Sequence, residues 1–256
     1  MNEENHCRIL REHFGISSVP EQYVVALAGN PNVGKSTVFN ALTGLHQHTG
    51  NWPGKTVDNT QGTFSHRKKK FLLVDLPGTY SLLAHTTEEQ IARDFICFGK
   101  PDTTVVVLDA TCLERNLNLA LQIMEITPSV VICVNLMDEA NKKNITIHLQ
   151  ELEKELDVPI IATIARREEG INNLKEIIHQ VSSGLRKSKP KQTIYSPEIE
   201  EAIQALLPSI QPIVSHKLNP RWVALRLLDG DKTMIENITR YLNFQNETDL
   251  REVAYL

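Results

Sequence analysis

Gly29-Asn30-Pro31-Asn32-Val33-Gly34-Lys35-Ser36 decides how this chain is read. The run fits G-x-x-x-x-G-K-S/T, a phosphate-binding loop. Its two glycines let the backbone curl so that successive N–H groups face a β-phosphate. Lys35 adds a point charge for the β- and γ-phosphates, and the Ser36 hydroxyl is placed to ligate Mg²⁺. Its neighbours agree. Tyr23-Val24-Val25-Ala26-Leu27-Ala28 is a short, almost wholly apolar run that reads as a buried strand. Thr37 to Leu42 then opens a helix whose N-terminal dipole favours phosphate. Gly29 through Thr37 is therefore the expected phosphate-binding set.

The rest of the chain alternates in the same way. Thr63–Phe71 reads as a strand entering a basic turn, with Arg67-Lys68-Lys69-Lys70 as its solvated tip. Phe71–Asp75, Thr104–Asp109, Val130–Asn135 and Pro159–Thr163 read as further strands, and Glu114–Ile126, Ile147–Leu156 and Ile171–Val181 as helices. Strands alternating with helices predict a doubly wound, mostly parallel α/β sheet of the phosphate-loop type. After Val181 the composition shifts through a linker-like stretch, Ser182–Pro190, to helical patterns at Pro197–Leu207, Asn219–Leu228, Lys232–Leu242 and a short final segment. The expected organisation is an extension at 1–22, a nucleotide-binding domain at 23–182 and a small helical domain at 183–256.

Bulk properties narrow the function. A net charge of −4 and a pI near 6.1 give no global pull toward nucleic acid. Cys7, Cys97, Cys112 and Cys133 are scattered, with no Cys-x-x-Cys pair, and read as reduced thiols. His6, Cys7 and His13 lie close together but read as a solvated or packing segment rather than a metal site. The N-terminus is polar, and no run of 18 apolar residues exists to span a membrane.

The base is chosen by Asn135-Leu136-Met137-Asp138, which follows a strand and so sits at the carboxyl end of the sheet. A carboxylate there accepts two hydrogen bonds, from guanine N1–H and the 2-amino group. Adenine lacks that donor pair and would leave the carboxylate unpaired. Asn135, Met137 and Asp138 form the expected base-binding set, with Asn135 bracing neighbouring loops. Asp75, ending a strand in Asp75-Leu76-Pro77-Gly78, is placed to hold Mg²⁺ through water. The Gly78 N–H is placed to sense the γ-phosphate. Thr56, in Gly54-Lys55-Thr56-Val57-Asp58, reads as the switch I threonine that caps Mg²⁺ only in the triphosphate state. Lys35, Thr56 and Gly78 are the expected catalytic residues.

These motifs, in this order, define a TRAFAC-type GTPase. The wording of Gly29–Ser36, Gly50-Asn51-Trp52-Pro53-Gly54-Lys55-Thr56-Val57, Asp75–Leu82, Glu89-Gln90-Ile91-Ala92 and Asp109–Leu117 resembles the cytoplasmic N-terminal region of the ferrous iron transport protein B family. The resemblance covers residues 23–181 closely and the helical remainder more loosely. It implies a GTP-hydrolysing domain on the cytoplasmic face of a bacterial inner membrane. It also implies a helical domain acting on nucleotide affinity and a following Fe²⁺ permease region. A small FeoA-like partner, and an oligomer of the full-length protein, are open within it. The resemblance also implies a K⁺ held by Asn32 and by the backbone carbonyls of Gly50 and Trp52. Such an ion would counter charge on the β–γ bridge. Thr79, not Gln, follows Gly78, which predicts slow intrinsic hydrolysis.

Two positions depart from the family wording. The fifth motif, usually Ser-Ala, is Thr163-Ile164-Ala165-Arg166 here. Ala165 N–H is still expected to reach guanine O6, but Ile164 stands where a bracing hydroxyl is usual, which bears on base affinity and release. Lys55 adds a charge beside Thr56. A soluble GTPase acting on RNA or ribosomes is the alternative. The acidic pI, the lack of a Gly-x-x-Gly segment in the tail and the Asn-Trp-Pro-Gly wording stand against it. A nucleotide-binding scaffold without turnover is a third reading, opposed by intact Thr56 and Asp75.

Overall fold

Tyr23–Ala28 is apolar throughout because both faces of its strand are covered. A computed structural model describes residues 11–17, 19, 21–44, 47–83, 86–214 and 217–242. In it, β1 (Gln22–Gly29) sends Val24, Ala26 and Ala28 to one side and Val25 and Leu27 to the other. This is the two-residue period of a strand, with apolar residues on both phases.

Seven strands lie in the order β2-β3-β4-β1-β5-β6-β7. They are β1, β2 (Gln47–Asn51), β3 (Asp58–His66), β4 (Lys69–Asp75), β5 (Thr103–Asp109), β6 (Val130–Asn135) and β7 (Ile160–Ala162). The β2/β3 and β3/β4 pairs are antiparallel, and all the others are parallel. The expected doubly wound, mostly parallel sheet is the observed one. Helices α1 (Lys35–Thr43) and α6 (Ile171–Ser182) cover one face, burying Phe39, Leu42, Leu174 and Ile178. Helices α2 (Thr87–Phe98) and α3 (Leu113–Ile126) cover the other through Ile91, Phe95, Leu119 and Ile123. The short helices α4 (Met137–Lys142) and α5 (Leu149–Leu156) complete this first unit.

Three elements were not read from sequence. Helix α2 starts at Thr86, whose hydroxyl accepts the Glu89 N–H at 3.2 Å. The Thr86-x-x-Glu89 spacing is a capping signal that could have found it. Helix α4 is a single short run after the left-handed Leu136. Strand β2 is polar and has no apolar alternation; pairing with β3, from Gln47 opposite Gly62 to Asn51 opposite Asp58, makes it a strand.

The basic run closes the β3/β4 hairpin. Arg67 and Lys68 both take positive φ, 50° and 62°, as a two-residue turn needs to match strand twist. Lys69 and Lys70 already belong to β4, opposite His66 and Ser65.

The described chain divides into two compact units, between Lys191 and Gln192. Residues after α6 stay with the first unit: Arg186 ion-pairs with Glu153, and Lys191 N–H donates to the Leu156 carbonyl at 3.0 Å. The second unit holds α7 (Pro197–Val214), α8 (Pro220–Asp229) and α9 (Lys232–Leu242) around Ile203, Ile210, Trp222, Val223, Met234 and Ile238. Helix α7 runs past Leu207 although Pro208 and Pro212 follow. Both prolines and Gln204 are exposed, so the carbonyls they leave free face water, while Ile203, Ile210 and Val214 keep the buried face continuous. Arg221 forks onto Glu200 with two bonds of 2.7 Å and donates to the Thr193 carbonyl at 2.9 Å. That fork, helped by the Tyr195 N–H, holds the Glu200 carboxyl down at about 2. The expected final helical segment lies outside the described residues. Among the described residues, no helix is long and apolar enough to cross a membrane.

Candidate functional site

The carboxyl ends of β1, β4, β5 and β6 gather the sequence motifs at one edge of the sheet. Parallel register sets Leu27 beside Asp75, Gly29 beside Val107 and Asp109 beside Asn135. The loop between β1 and α1 therefore rises directly above Asp75 and within reach of Asn135.

In the phosphate loop, Asn32 takes φ 67° and Gly34 φ 81°, the left-handed turns that curl the backbone before α1. Ser36 and Thr37 are exposed at the helix start, as is Asn32 at the loop apex, while Val33 is buried. Lys35 Nζ ion-pairs with Asp75 Oδ1, so the phosphate loop meets the Asp75–Gly78 motif. Burial pushes the Asp75 carboxyl up, and the charge and hydrogen bond of Lys35 offset this only in part. One cation leaves that carboxylate under-compensated. With the Ser36 hydroxyl nearby in sequence, the donor set suits a divalent ion. Asn30 is buried, and neither of its side-chain polar atoms has a hydrogen-bond partner.

Asn135 joins three loops. Its Nδ2 donates to the Val33 carbonyl at 3.1 Å, and its Oδ1 accepts from Thr163 Oγ1 and from Ala165 N–H, each at 3.1 Å. Met137 N–H reaches the Thr163 carbonyl at 3.4 Å. Asn135 thus braces the loops as its motif predicts. In this arrangement Ala165 N–H is spent on Asn135 rather than turned toward a base. The bracing hydroxyl that Ile164 lacks is supplied one residue earlier. Thr163 is 1% exposed and bonds to Asn135, with Cys133 Sγ 3.3 Å away. Burial pushes that Cys133 thiol up to about 12, which keeps it an inert packing group.

Asp138 is buried, and its Oδ2 pairs with Arg166, which also reaches Glu139 at 3.0 Å. Burial alone would raise the Asp138 carboxyl. The hydrogen bond and charge of Arg166 outweigh it and hold the group below the usual carboxylate range. The N–H groups of Asp138 and Glu139 favour the charge as well, yet Oδ1 is buried with no well-formed hydrogen bond. Arg166 was given no role from sequence. Its place immediately after the fifth motif is the signal that was available.

The expected switch I residues are held by β3 and by their own turn. Gly50 lies in β2 opposite Asn59. Trp52 is 2% exposed, its carbonyl accepts Lys55 N–H at 3.0 Å, and its N–H donates to Val57 at 2.9 Å. Gly54, Lys55 and Thr56 form the exposed crest of that turn. In the Asp75–Leu82 stretch, the expected switch II, Thr79 is buried and its N–H bonds to the Gly29 carbonyl at 3.2 Å, holding Gly78 beside Pro31. A cavity of about 810 Å³, lined by Cys112, Arg115, Ile147 and His148 among others, takes in part of the Asp109–Leu117 stretch but none of the expected nucleotide-binding residues.

A family model described as ferrous iron transport protein B matches residues 23–178. The chain belongs to that family. A second model, the FeoB cytosolic helical domain, matches residues 195–254. The Fe(2+) transporter FeoB of Methanocaldococcus jannaschii is 42% identical over 227 residues, covering 89% of this chain and 33% of that protein. The Fe(2+) transport protein A/Fe(2+) transporter FeoB fusion protein of Porphyromonas gingivalis is 39% identical over 82% of this chain and 25% of its own length. The chain thus spans between a quarter and a third of these curated relatives. Among solved structures, the apo cytosolic domain of T. maritima FeoB superposes with a TM-score of 0.79 at 34% identity, covering 91% of this chain and 94% of that one. A GDP-bound mutant of S. thermophilus NFeoB gives 0.75 at 30% identity, over 90% and 88%. The FeoB family model begins at residue 23, so Arg11–Gln22 lie outside the stretch it matches.

Proposed function

We propose that this chain is the GTP-binding and GTP-hydrolysing module of a ferrous iron transporter, working at the cytoplasmic face of a bacterial inner membrane. The observation that carries the reading is the Asn135 hub. One buried side chain ties the phosphate loop at Val33 to the Thr163–Ala165 loop and sets Asp138 beside them, with no well-formed hydrogen bond to its Oδ1 among the described residues. A guanine edge supplies two donors to such a carboxylate.

Lys35 and the N–H groups of Gly29–Thr37 hold the β- and γ-phosphates, and the Gly78 N–H reads the γ-phosphate. Ser36, Asp75 and, in the triphosphate state, Thr56 would hold Mg²⁺, which would supply positive charge against the phosphates. Asn32 with the carbonyls of Gly50 and Trp52 would hold K⁺. The Trp52 carbonyl accepts Lys55 N–H in this structure, and its second lone pair would remain for the ion. With Thr79 buried in the usual glutamine position, water is oriented by backbone and switch I, and intrinsic turnover is slow.

GTP orders switch I and switch II, and that change passes to transmembrane helices admitting Fe²⁺. The Porphyromonas gingivalis relative is itself a fusion with an Fe(2+) transport protein A, which favours a small FeoA-like partner here. The test is GTP hydrolysis in K⁺ and in Na⁺ at equal ionic strength, with ATP as competitor. Stimulation by K⁺ that Asn32→Ala abolishes, and indifference to ATP, are the expected results. Equal rates in both salts remove the K⁺ site. Equal use of ATP removes the role of Asp138.

A further inference from the structure

Residues Arg11–Ile16 precede the family's matched stretch, yet they are built into the first unit at both ends. Arg11 is 8% exposed. Its Nε donates to the Gly99 carbonyl at 3.2 Å, and its Nη2 donates to the Lys100 carbonyl at 2.6 Å and to Asp102 at 3.2 Å. Asp102 also accepts Val24 N–H at 2.6 Å, so this anchor is fixed to the start of β1. Ile16 is fully buried.

Between these anchors the segment grips switch I. Phe14 stands edge-on to Trp52 at 6.5 Å and to Phe95 at 5.5 Å, and Trp52 meets Phe95 at 5.5 Å, closing a three-ring cluster. Gly15 turns with φ 71° against Pro53, so close that an added Cβ would lie 3.3 Å from the Pro53 ring. The carbonyls of Phe14 and Gly15 accept from Asn59 at 3.4 Å and Gln61 at 3.1 Å, both on β3 just after the switch. Trp52 and Pro53 of the switch I segment thus pack against Arg11–Ile16. Thr56 is meanwhile exposed on the crest of its turn.

The grip is poised rather than permanent. A buried tryptophan usually finds an acceptor for its indole N–H, but Trp52 Nε1 is buried with no partner among the described residues. That unmet donor lowers the cost of withdrawing the ring. Phe14 and the ring of Phe95 therefore decide whether it stays.

We propose that Arg11–Ile16 form a clamp that positions switch I, with Phe14 acting through Trp52 to hold Thr56 away from the nucleotide until a triphosphate draws the switch in. This rests on the reading of Thr56 as the Mg²⁺-capping threonine. Phe14 and Arg11 are positioning residues, since neither lies at the phosphate loop. Weakening the clamp favours the triphosphate-bound arrangement without touching the diphosphate site. Losing one edge-on ring contact raises the ratio of triphosphate to diphosphate affinity about three- to tenfold.

The experiment uses the 256-residue chain carrying Trp222→Phe, which leaves Trp52 as its sole tryptophan. GDP and a non-hydrolysable GTP analogue are titrated by calorimetry while Trp52 emission is recorded. In this parent, the analogue should move emission to longer wavelength and GDP should leave it unmoved. Phe14→Ala and Arg11→Gln should each red-shift the GDP-bound emission and raise the analogue-to-GDP affinity ratio, with GDP affinity itself within about twofold of the parent. Arg11→Gln keeps the test open if Phe14→Ala does not fold. Normal GDP binding with an unchanged ratio in the folded variants would overturn the clamp and leave the nucleotide reading intact. Failure of the parent to bind either nucleotide would overturn both.

Discussion

A Cβ on Gly34 would lie 2.5 Å from Asn135 Nδ2. The glycine before Lys35 therefore does two things at once. Its φ of 81° bends the phosphate loop, and its missing side chain leaves the space through which Asn135 reaches the Val33 carbonyl. Gly34→Ala forces a left-handed alanine, at about 1–2 kcal/mol, and displaces the hub that joins the phosphate and base loops. The expected outcome is a fall in GDP affinity of at least about tenfold by calorimetry. Asn135→Ala in the Gly34→Ala background should add little further loss, because the two changes break the same connection.

The hydroxyl of Thr163, not the side chain at 164, ties the fifth-motif loop to Asn135. Thr163→Val keeps the shape but removes a buried donor to Asn135 Oδ1, a loss of about 1 kcal/mol. GDP dissociation followed by stopped flow should then accelerate about fivefold. Ile164→Ser, which restores the family's usual residue type, should change the rate less than Thr163→Val does. A larger effect of Ile164→Ser would show that its side chain controls the loop independently of Asn135.

On the proposed reading, Arg166 occupies the carboxylate that a guanine would use. Its guanidinium offers donors to Asp138, as a guanine edge does, and its side chain is 48% exposed, so the contact is cheap to break. Arg166→Ala should strengthen GDP binding about two- to fivefold and slow GDP release by a similar factor. The difference should shrink at 1 M salt, where an exposed ion pair is screened. Unchanged GDP affinity in Arg166→Ala at low salt would mean that the arginine swings aside at no cost.

The parts legible in sequence were those set by local chemistry. Tyr23–Ala28 and Val130–Asn135 are apolar on both phases and could only be buried strands. Gly29–Ser36 and Asn135–Asp138 carry their spacing in the chain itself. Strand β2 was not legible, because Gln47–Asn51 has no apolar phase and takes its form from β3. The same holds for the segment before β1. Arg11, Phe14 and Ile16 look like a polar lead-in until Asp102, Trp52 and Phe95, far along the chain, come to meet them. Helix α7 fails in the opposite direction. Pro208 marks a helix stop by local rule, but the buried face of Ile203, Ile210 and Val214 carries the helix on.

The basic hairpin has its own acid-sensitive tie to α6. Glu176 Oε2 accepts from His66 Nε2 at 2.8 Å and from Arg67 Nε at 3.0 Å, while Gln180 Nε2 donates to its Oε1 at 3.0 Å. These bonds, His66 first, hold the Glu176 carboxyl at about 2, against an ordinary value of 4.5. The folded state binds this proton less readily than the unfolded state. Stability from Glu176 is therefore full above the unfolded value and falls away as pH drops through the folded one. Urea unfolding of the parent and of Glu176→Gln should show a midpoint difference that is constant above about pH 5, narrows below it and is mostly lost by about pH 2. The carboxylate is partly exposed, so high salt should reduce the plateau. A midpoint difference that persists unchanged to pH 2 would mean that the carboxylate charge does not make this tie, and that glutamine simply packs less well against His66.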